Sequence, residues 1–433
     1  MDFFNYKNGE LHCEDVPASR IAAEVGTPVY VYSKATLLRH YRQVADAFAP
    51  LKPTICYSIK SNSNLNLCKV LIEAGCGMDV TSGGELFRAL KAGCDPKKII
   101  YAGVGKTDDE IRMAIDAGIA AFNIESEAEI ENIDRVAGEM GKTAIGALRV
   151  NPDVDPGHKT HVKTTTGKKE AKFGVDIERA ERVFDQYKSL KNLRLAGVHL
   201  HIGSPIYDVA PYVDAVTKAN ALIDRLTKKG HKIEWLDMGG GFAVNYKRPD
   251  QALPVTEHAK ALIPLLKDRP YKLAIEPGRY IVGNAGIVLT RVLYRKQGGE
   301  KRFVIVDAGM NDLIRPTLYD AYHFIWPTKP DGPNVPAARD EDLAPVDGET
   351  VDVVGPICES GDFFAVDRDL PQPKPGDLMA IMSAGAYGAV QAGTYNTRAL
   401  VPEVLVKGSE WALVRPRLEV DQLIALDRMA PWL

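Results

Sequence analysis

The residues best suited to chemistry stand at the ends of short apolar runs. Lys60 closes Thr54-Ile55-Cys56-Tyr57-Ser58-Ile59, a run too short for a helix, and the polar turn Ser61-Asn62-Ser63-Asn64 follows. Ammonium groups are rarely left fully buried. Partial desolvation lowers an amine's pKa and makes it a nucleophile toward carbonyls, the starting condition for a Schiff base. Taken alone, Lys60 reads more simply as a lysine snorkelling to solvent. Other run ends carry Asp79, His201 with Gly203-Ser204, Gly239-Gly240-Gly241, and Glu276-Pro277-Gly278-Arg279. Singly, each has a plain structural explanation as a turn residue, a tight loop or a cap.

Together they describe one ligand. The amides of Gly240, Gly241 and Gly278, with the Ser204 hydroxyl, can cradle a phosphate dianion. The His201 imidazole can stack on a flat ring, Glu276 can hold a ring nitrogen protonated, and Lys60 can hold an aldehyde. Those are the requirements of pyridoxal 5′-phosphate (PLP). His199 and His201 share a strand face and could chelate a metal. No third ligand at suitable spacing accompanies them, so no metal is expected.

The apolar runs that position these groups are Ile55 to Ser58, Met78 to Thr81, Ile99 to Ala102, Ala121 to Ile124, Ile145 to Val150, Ala196 to His201, Trp235 to Met238 and Leu273 to Ile275. Amphipathic segments with i, i+3 and i+4 spacing lie between them. Thr107 with Glu110, and Ser126 with Glu129, fit capping boxes. The glycines of Glu73-Ala74-Gly75, Lys91-Ala92-Gly93 and Asp116-Ala117-Gly118 fit left-handed helix stops. Eight such units predict a parallel (β/α)8 barrel of the TIM type over residues 28–283, with active groups at the C-terminal strand ends. A doubly wound sheet would want Gly-x-Gly-x-x-Gly after the first strand, and that is absent.

After residue 284 strands follow one another without comparable helices, at Val288 to Tyr294, Phe303 to Asp307, Val351 to Val354, Leu378 to Met382 and Glu403 to Val406. A C-terminal β-rich domain, sandwich- or barrel-like and built from 1–27 plus 284–433, is expected. Trp326 to Thr350, rich in Pro, Asp and Gly, reads as a long surface loop.

Composition narrows the function classes. At 433 residues the chain suits about two or three domains, and its 45% apolar and 26% charged content is that of an average soluble protein. Its formal charge of −3 gives no basic field for nucleic acid or an anionic membrane. No apolar stretch approaches a membrane span, and the first residues carry no secretory pattern. The six cysteines show neither a disulfide framework nor C-x-x-C spacing. A cytoplasmic protein with reduced thiols is expected.

The words Tyr57-Ser58-Ile59-Lys60, His201-Ile202-Gly203-Ser204, Asp237-Met238-Gly239-Gly240-Gly241-Phe242, Glu276-Pro277-Gly278-Arg279 and Cys358-Glu359-Ser360-Gly361-Asp362 occur in this order along nearly the whole chain. In them the chain resembles the ornithine/diaminopimelate decarboxylase family of PLP enzymes, of the alanine-racemase-like fold type. The resemblance implies a cofactor set of Lys60, Asp79, His201, Ser204, Gly240, Gly241, Glu276, Gly278, Arg279 and Tyr387. It also implies a homodimer whose active sites borrow residues from the neighbouring subunit. Cys358 would then donate a proton to the carbanion after carbon dioxide leaves, and Glu359 would receive a distal ammonium.

Asn311-Asp312-Leu313-Ile314-Arg315-Pro316 followed by Tyr319 is similar to the substrate segment of the diaminopimelate-acting members. Arg279 and Arg315 suit a distal carboxylate, because the guanidinium fork fits that group. Tyr319 and Tyr387 complete the substrate set. Decarboxylation of meso-2,6-diaminopimelate to L-lysine is therefore expected. The alternatives are a sibling decarboxylase acting on another basic or carrier-linked amino acid, and a non-catalytic PLP-binding protein. Asn151 to Gly174, with His158, His161 and Lys172-Phe173-Gly174, looks like a loop covering the site. One position departs from the pattern: Pro205 stands where the diaminopimelate-acting members commonly carry glutamine, and proline removes a backbone donor.

Overall fold

The computed structural model describes residues 2–155, 157, 163, 166 and 172–433. Two compact units are present, one of Leu38–Val244 with Ala252–Ile281, the other of Met1–Leu37, Asn245–Gln251 and Val282–Leu433.

The first unit is a closed barrel of eight parallel strands: β1 (Thr54–Ser58), β2 (Gly77–Val80), β3 (Ile99–Tyr101), β4 (Ala121–Ile124), β5 (Ala144–Asn151), β6 (Leu193–His199), β7 (Trp235–Asp237) and β8 (Lys272–Ile275). Closure comes from β8 pairing back onto β1, with Ala274 opposite Thr54. All eight coincide with the apolar runs of the sequence. The strands are buried along nearly their whole length because helices cover the outside and side chains fill the inside.

Helix signals act as the sequence predicts, with one variation. Thr107 and Glu110 form the full capping box on Asp108–Ala117, and Gly118 ends that helix with φ +71°. Ser126 caps Glu127–Glu139. Glu129, however, accepts from the Glu125 amide and pairs with Lys106 instead of closing the box. A buried lysine needs a counter-charge more than the helix needs its second cap bond.

The second unit is built on a mixed sheet. Its strands are β9 (Gly286–Gly298), β10 (Lys301–Val306), β11 (Ile325–Pro327), β12 (Glu349–Val354), β13 (Phe363–Leu370), β14 (Leu378–Ile381), β15 (Glu403–Lys407) and β16 (Glu410–Arg415). They run in the order β13-β12-β10-β9, then Val29–Ser33, then β15-β16, with β14 joining β9 to β11. Strands β11, β13 and β16 were not expected: β13 and β16 mix charges into their alternation and carry exposed residues, and β11 is a short buried strand whose Trp326 was read as the start of a surface loop. Between β11 and β12 only the turn Gly332–Asn334 is regular.

The unit boundaries differ from the expected 28–283. Val29–Ser33 is wholly buried and pairs antiparallel with β9 and parallel with β15, so it is a central strand of the mixed sheet. Among the described residues, no helix is long and apolar enough to cross a membrane.

Candidate active site

Lys60 sits in the turn Ile59–Ser61 that leaves β1, with its side chain 35% exposed. Its Nζ donates to Asp79 Oδ2 at 3.2 Å, and Ser58 Oγ donates to the same oxygen at 2.7 Å. Asp79, at the end of β2, is fully buried. The amine is thus held at the mouth of the barrel by a buried carboxylate.

Across the barrel a second acidic group forms. Asn123 Nδ2, from β4, donates to Asp237 Oδ2 and to Glu276 Oε1, each at 3.0 Å. Asp237 Oδ1 accepts from the Gly239 amide at 3.0 Å. Burial, then the nearby Glu276 charge, pushes the Asp237 carboxyl up to about 8. Burial, then Asp79, also raises Glu276. The hydrogen bond between the two carboxyls raises Asp237 and lowers Glu276, so of the pair Asp237 holds its proton the more tightly. His199 ends β6, with Nε2 at 3.4 Å from Glu276 Oε2. Burial lowers it to about 4, leaving it neutral.

His199, Asp237 and Glu276 offer atoms within 4.8 Å of one another. His201 lies beyond the strand end, so the nearer partners of His199 are these two acids. The Asn123 amino group directed at both carboxyls is a donor that a cation would have to face.

Burial, then the Arg149 charge, lowers His201, so its ring is neutral. Arg149, on β5, reaches the His201 carbonyl at 3.4 Å and pairs with buried Glu125 at 2.9 Å. Burial opposes the charge on Glu125, yet Arg149 and the other nearby cations together outweigh it and the carboxyl titrates below its usual value. Glu125 also accepts from the Gly174 amide at 2.9 Å, and the Phe173 ring lies 4.6 Å from the Arg149 guanidinium. That anchors one end of the segment expected to cover the site; His158 and His161 lie outside the described residues.

Ser204 Oγ accepts from Arg279 Nε at 3.2 Å. The peptide bond between Ser204 and Pro205 is cis. The glycines nearby have no room for a side chain: a Cβ on Gly240 would lie 2.2 Å from the Glu276 carbonyl, and one on Gly241 2.5 Å from the Gly203 carbonyl. Three strand-end loops, those after β6, β7 and β8, therefore approach backbone to backbone. A reachable amine, a buried acid hydrogen-bonded by Asn123 and Asp237, a neutral imidazole and glycine-lined loops fit PLP.

In the β-rich unit, Arg315 begins the short helix Arg315–Tyr319 and is 5% exposed. Its guanidinium lies 4.8 Å from the Tyr246 ring centroid, and Nη1 is 3.0 Å from His323 Nε2. Tyr319 OH accepts from Gln391 at 3.3 Å. Cys358 and Glu359 are exposed on a turn. Asp362 organises that turn by accepting from the amides of Ile357 (2.6 Å) and Met310 (2.7 Å). The Tyr395 hydroxyl donates to Glu359, which raises its own pKa. Thr317 Oγ1 donates to the Gly361 carbonyl at 2.6 Å, tying the Arg315 helix to the Cys358–Asp362 turn. Tyr387 has φ +56°, a left-handed conformation a bulky residue adopts only when its surroundings impose it.

Asn123 and His323 were not singled out from sequence, and Asp237 was noted only as part of a word. A buried polar residue inside an apolar run, as at Asn123 in Ala121–Ile124, is the signal that could have found the first.

Residues 34–283 match the family model described as the pyridoxal-binding domain of pyridoxal-dependent decarboxylases. The chain is 46% identical over 431 residues to the diaminopimelate decarboxylase of Pseudomonas aeruginosa, covering 100% of both chains. Among solved structures it resembles the diaminopimelate decarboxylase of M. jannaschii in co-complex with L-lysine, with TM-score 0.92, 35% identity and coverage of 100% of this chain and 99% of that one. The Helicobacter pylori enzyme complexed with L-lysine matches with TM-score 0.87 and 36% identity, over 94% of this chain and 98% of that one.

Proposed function

The chain belongs to the ornithine/diaminopimelate decarboxylase family of pyridoxal-dependent enzymes, and from that premise we propose that it converts meso-2,6-diaminopimelate to L-lysine and carbon dioxide. The observation that carries the substrate choice is Arg315, buried, stacked on Tyr246 and joined through Thr317 to the turn bearing Cys358 and Glu359. A simple diamine precursor has no distal carboxylate to use a buried guanidinium.

PLP, when bound, supplies a ring that accepts the electron pair of the breaking Cα–C bond. Lys60 would hold it by its amine, with Asp79 placed to pair with the free ammonium. Glu276, hydrogen-bonded by Asn123, would face the ring nitrogen. The neutral His201 imidazole would lie against the ring face. Ser204, Gly240, Gly241, Gly278, Arg279 and Tyr387 would hold the phosphate. Arg315, with Arg279, grips the distal carboxylate, Tyr319 lines that end, and Glu359 receives the distal ammonium. Cys358 gives the proton that replaces carbon dioxide.

Cys358 and Glu359 act in the site of a second copy, so the working form is a homodimer with shared sites. Their exposure on a single chain supports this. A cytoplasmic location suits six free cysteines. The test is carbon dioxide release from a panel of diamino acids, with product stereochemistry determined. Meso-diaminopimelate should be turned over to L-lysine while ornithine and lysine are not. Comparable release from ornithine would favour a sibling decarboxylase, and no release from any substrate a non-catalytic role.

A further inference from the structure

We infer that His323 is a positioning residue that fixes the Arg315 guanidinium through one imposed tautomer, and so sets affinity for a distal carboxylate. The inference rests on the proposed role of Arg315 and goes one residue beyond it. His323 is fully buried. Its Nδ1 lies 2.8 Å from the Met382 carbonyl, and its Nε2 lies 3.0 Å from Arg315 Nη1. A carbonyl only accepts, so Nδ1 carries the hydrogen. A guanidinium only donates, so Nε2 must present its lone pair. Both partners therefore demand the same neutral imidazole, and no other protonation state satisfies them.

The need for such a brace follows from the local fold. Arg315 stands at the start of a helix of five residues, too short to hold a long side chain by itself. The chain turns at Asp320, with φ +50°, and returns so that His323 lies just ahead of β11. There Trp326 lies opposite Ala380, and the Met382 amide donates to the Phe324 carbonyl at 2.8 Å. His323 is thus attached to the sheet by backbone on one side and by its ring on the other. Tyr246 completes the brace, face-on to Arg315 at 4.8 Å and edge-on to His323 at 6.0 Å and 82°. Ring and imidazole hold the fork from two sides, so little rotamer freedom remains to be lost on binding a carboxylate.

The test compares three variants on the intact, PLP-loaded enzyme. His323→Gln keeps an acceptor near Nε2, whereas His323→Asn keeps only the donor to Met382. Arg315→Lys tests the underlying role. We expect His323→Asn to raise KM for diaminopimelate about tenfold or more, with kcat changed much less, and His323→Gln to recover most of the loss. Competitive inhibition should separate brace from bystander: His323→Asn weakens L-lysine, which retains a distal carboxylate, and leaves 1,5-diaminopentane unaffected. If Arg315→Lys leaves KM unchanged, the proposed role of Arg315 fails. If Arg315→Lys raises KM while His323→Asn does not, or if both inhibitors weaken equally, the inference fails and the role of Arg315 stands. Should His323→Asn not fold, the nitrogen-15 shifts of the wild-type ring decide: a proton on Nε2 would overturn the inference, and one on Nδ1 would support it.

Discussion

In the barrel unit the polar groups around the proposed cofactor site, mostly buried, answer one another: half-exposed Lys60 meets Asp79, Asn123 meets Asp237 and Glu276, and Arg149 meets Glu125. In the β-rich unit Arg315 is braced in the same manner, but Cys358 and Glu359 stand on an exposed turn held by its backbone. The contrast tracks what each group must do. A cofactor anchor has to hold one charge state in a place where mistakes cost several kcal/mol, so its partners lie within the chain. On the proposed reading, Cys358 and Glu359 serve a neighbouring subunit and so have to be presented outward, with the turn's main chain and the Tyr395 hydroxyl as their support within the chain.

The largest effect tests whether the two kinds of site can be pulled apart. Lys60→Ala should abolish turnover and the mass gained by borohydride reduction in the presence of PLP. Cys358→Ala should retain that mass while kcat falls by about a hundredfold or more. If sites are shared, refolding the two inactive variants together restores activity, since mixed dimers rebuild one intact site. A mixture as inactive as its parents would show that each chain uses its own Cys358.

A smaller effect sharpens the account of the barrel's buried acids. Asp237 titrates at about 8 in the folded protein against an ordinary 3.8, so the folded form binds a proton that the unfolded chain releases in between. Stability of the cofactor-free protein should therefore fall as pH rises through that window. Asp237→Asn removes the proton and should flatten the fall, read by urea denaturation at several pH values. Equal slopes for the two proteins would mean that Asp237 is already ionised. The smallest effect marks where the site's influence ends: Thr107→Ala breaks a capping box and should cost about 1 kcal/mol of stability with kcat/KM unchanged.

The barrel was legible because its signals are local. Each strand is a short apolar run, and Gly118 stops a helix because its own φ is positive. Lys60 and Glu276 were legible for the same reason, as each terminates such a run. Asn123 was hidden inside a run that reads as core, and its meaning appears only when β4, β7 and β8 close around one interior. His323 was hidden because its partners are Arg315, eight residues earlier, and a carbonyl at Met382 that no side-chain pattern announces. Val29–Ser33 precedes the first barrel run at Ile55, and only its pairing with distant strands shows that it belongs to the mixed sheet.

That pairing has a consequence for how the protein is made. Val29–Ser33 emerges early from the ribosome, but its neighbours are Gly286–Leu289 and Glu403–Val406. The nascent chain must therefore carry an apolar strand without its mates while the whole barrel is translated. Long-range strand pairing is slow, and unpaired edges aggregate. The barrel can close before then, since its own strands are consecutive, whereas the mixed sheet is completed only near the end of synthesis. Growth temperature and chaperone supply should thus govern the yield of active protein through this one segment more than through the much larger barrel.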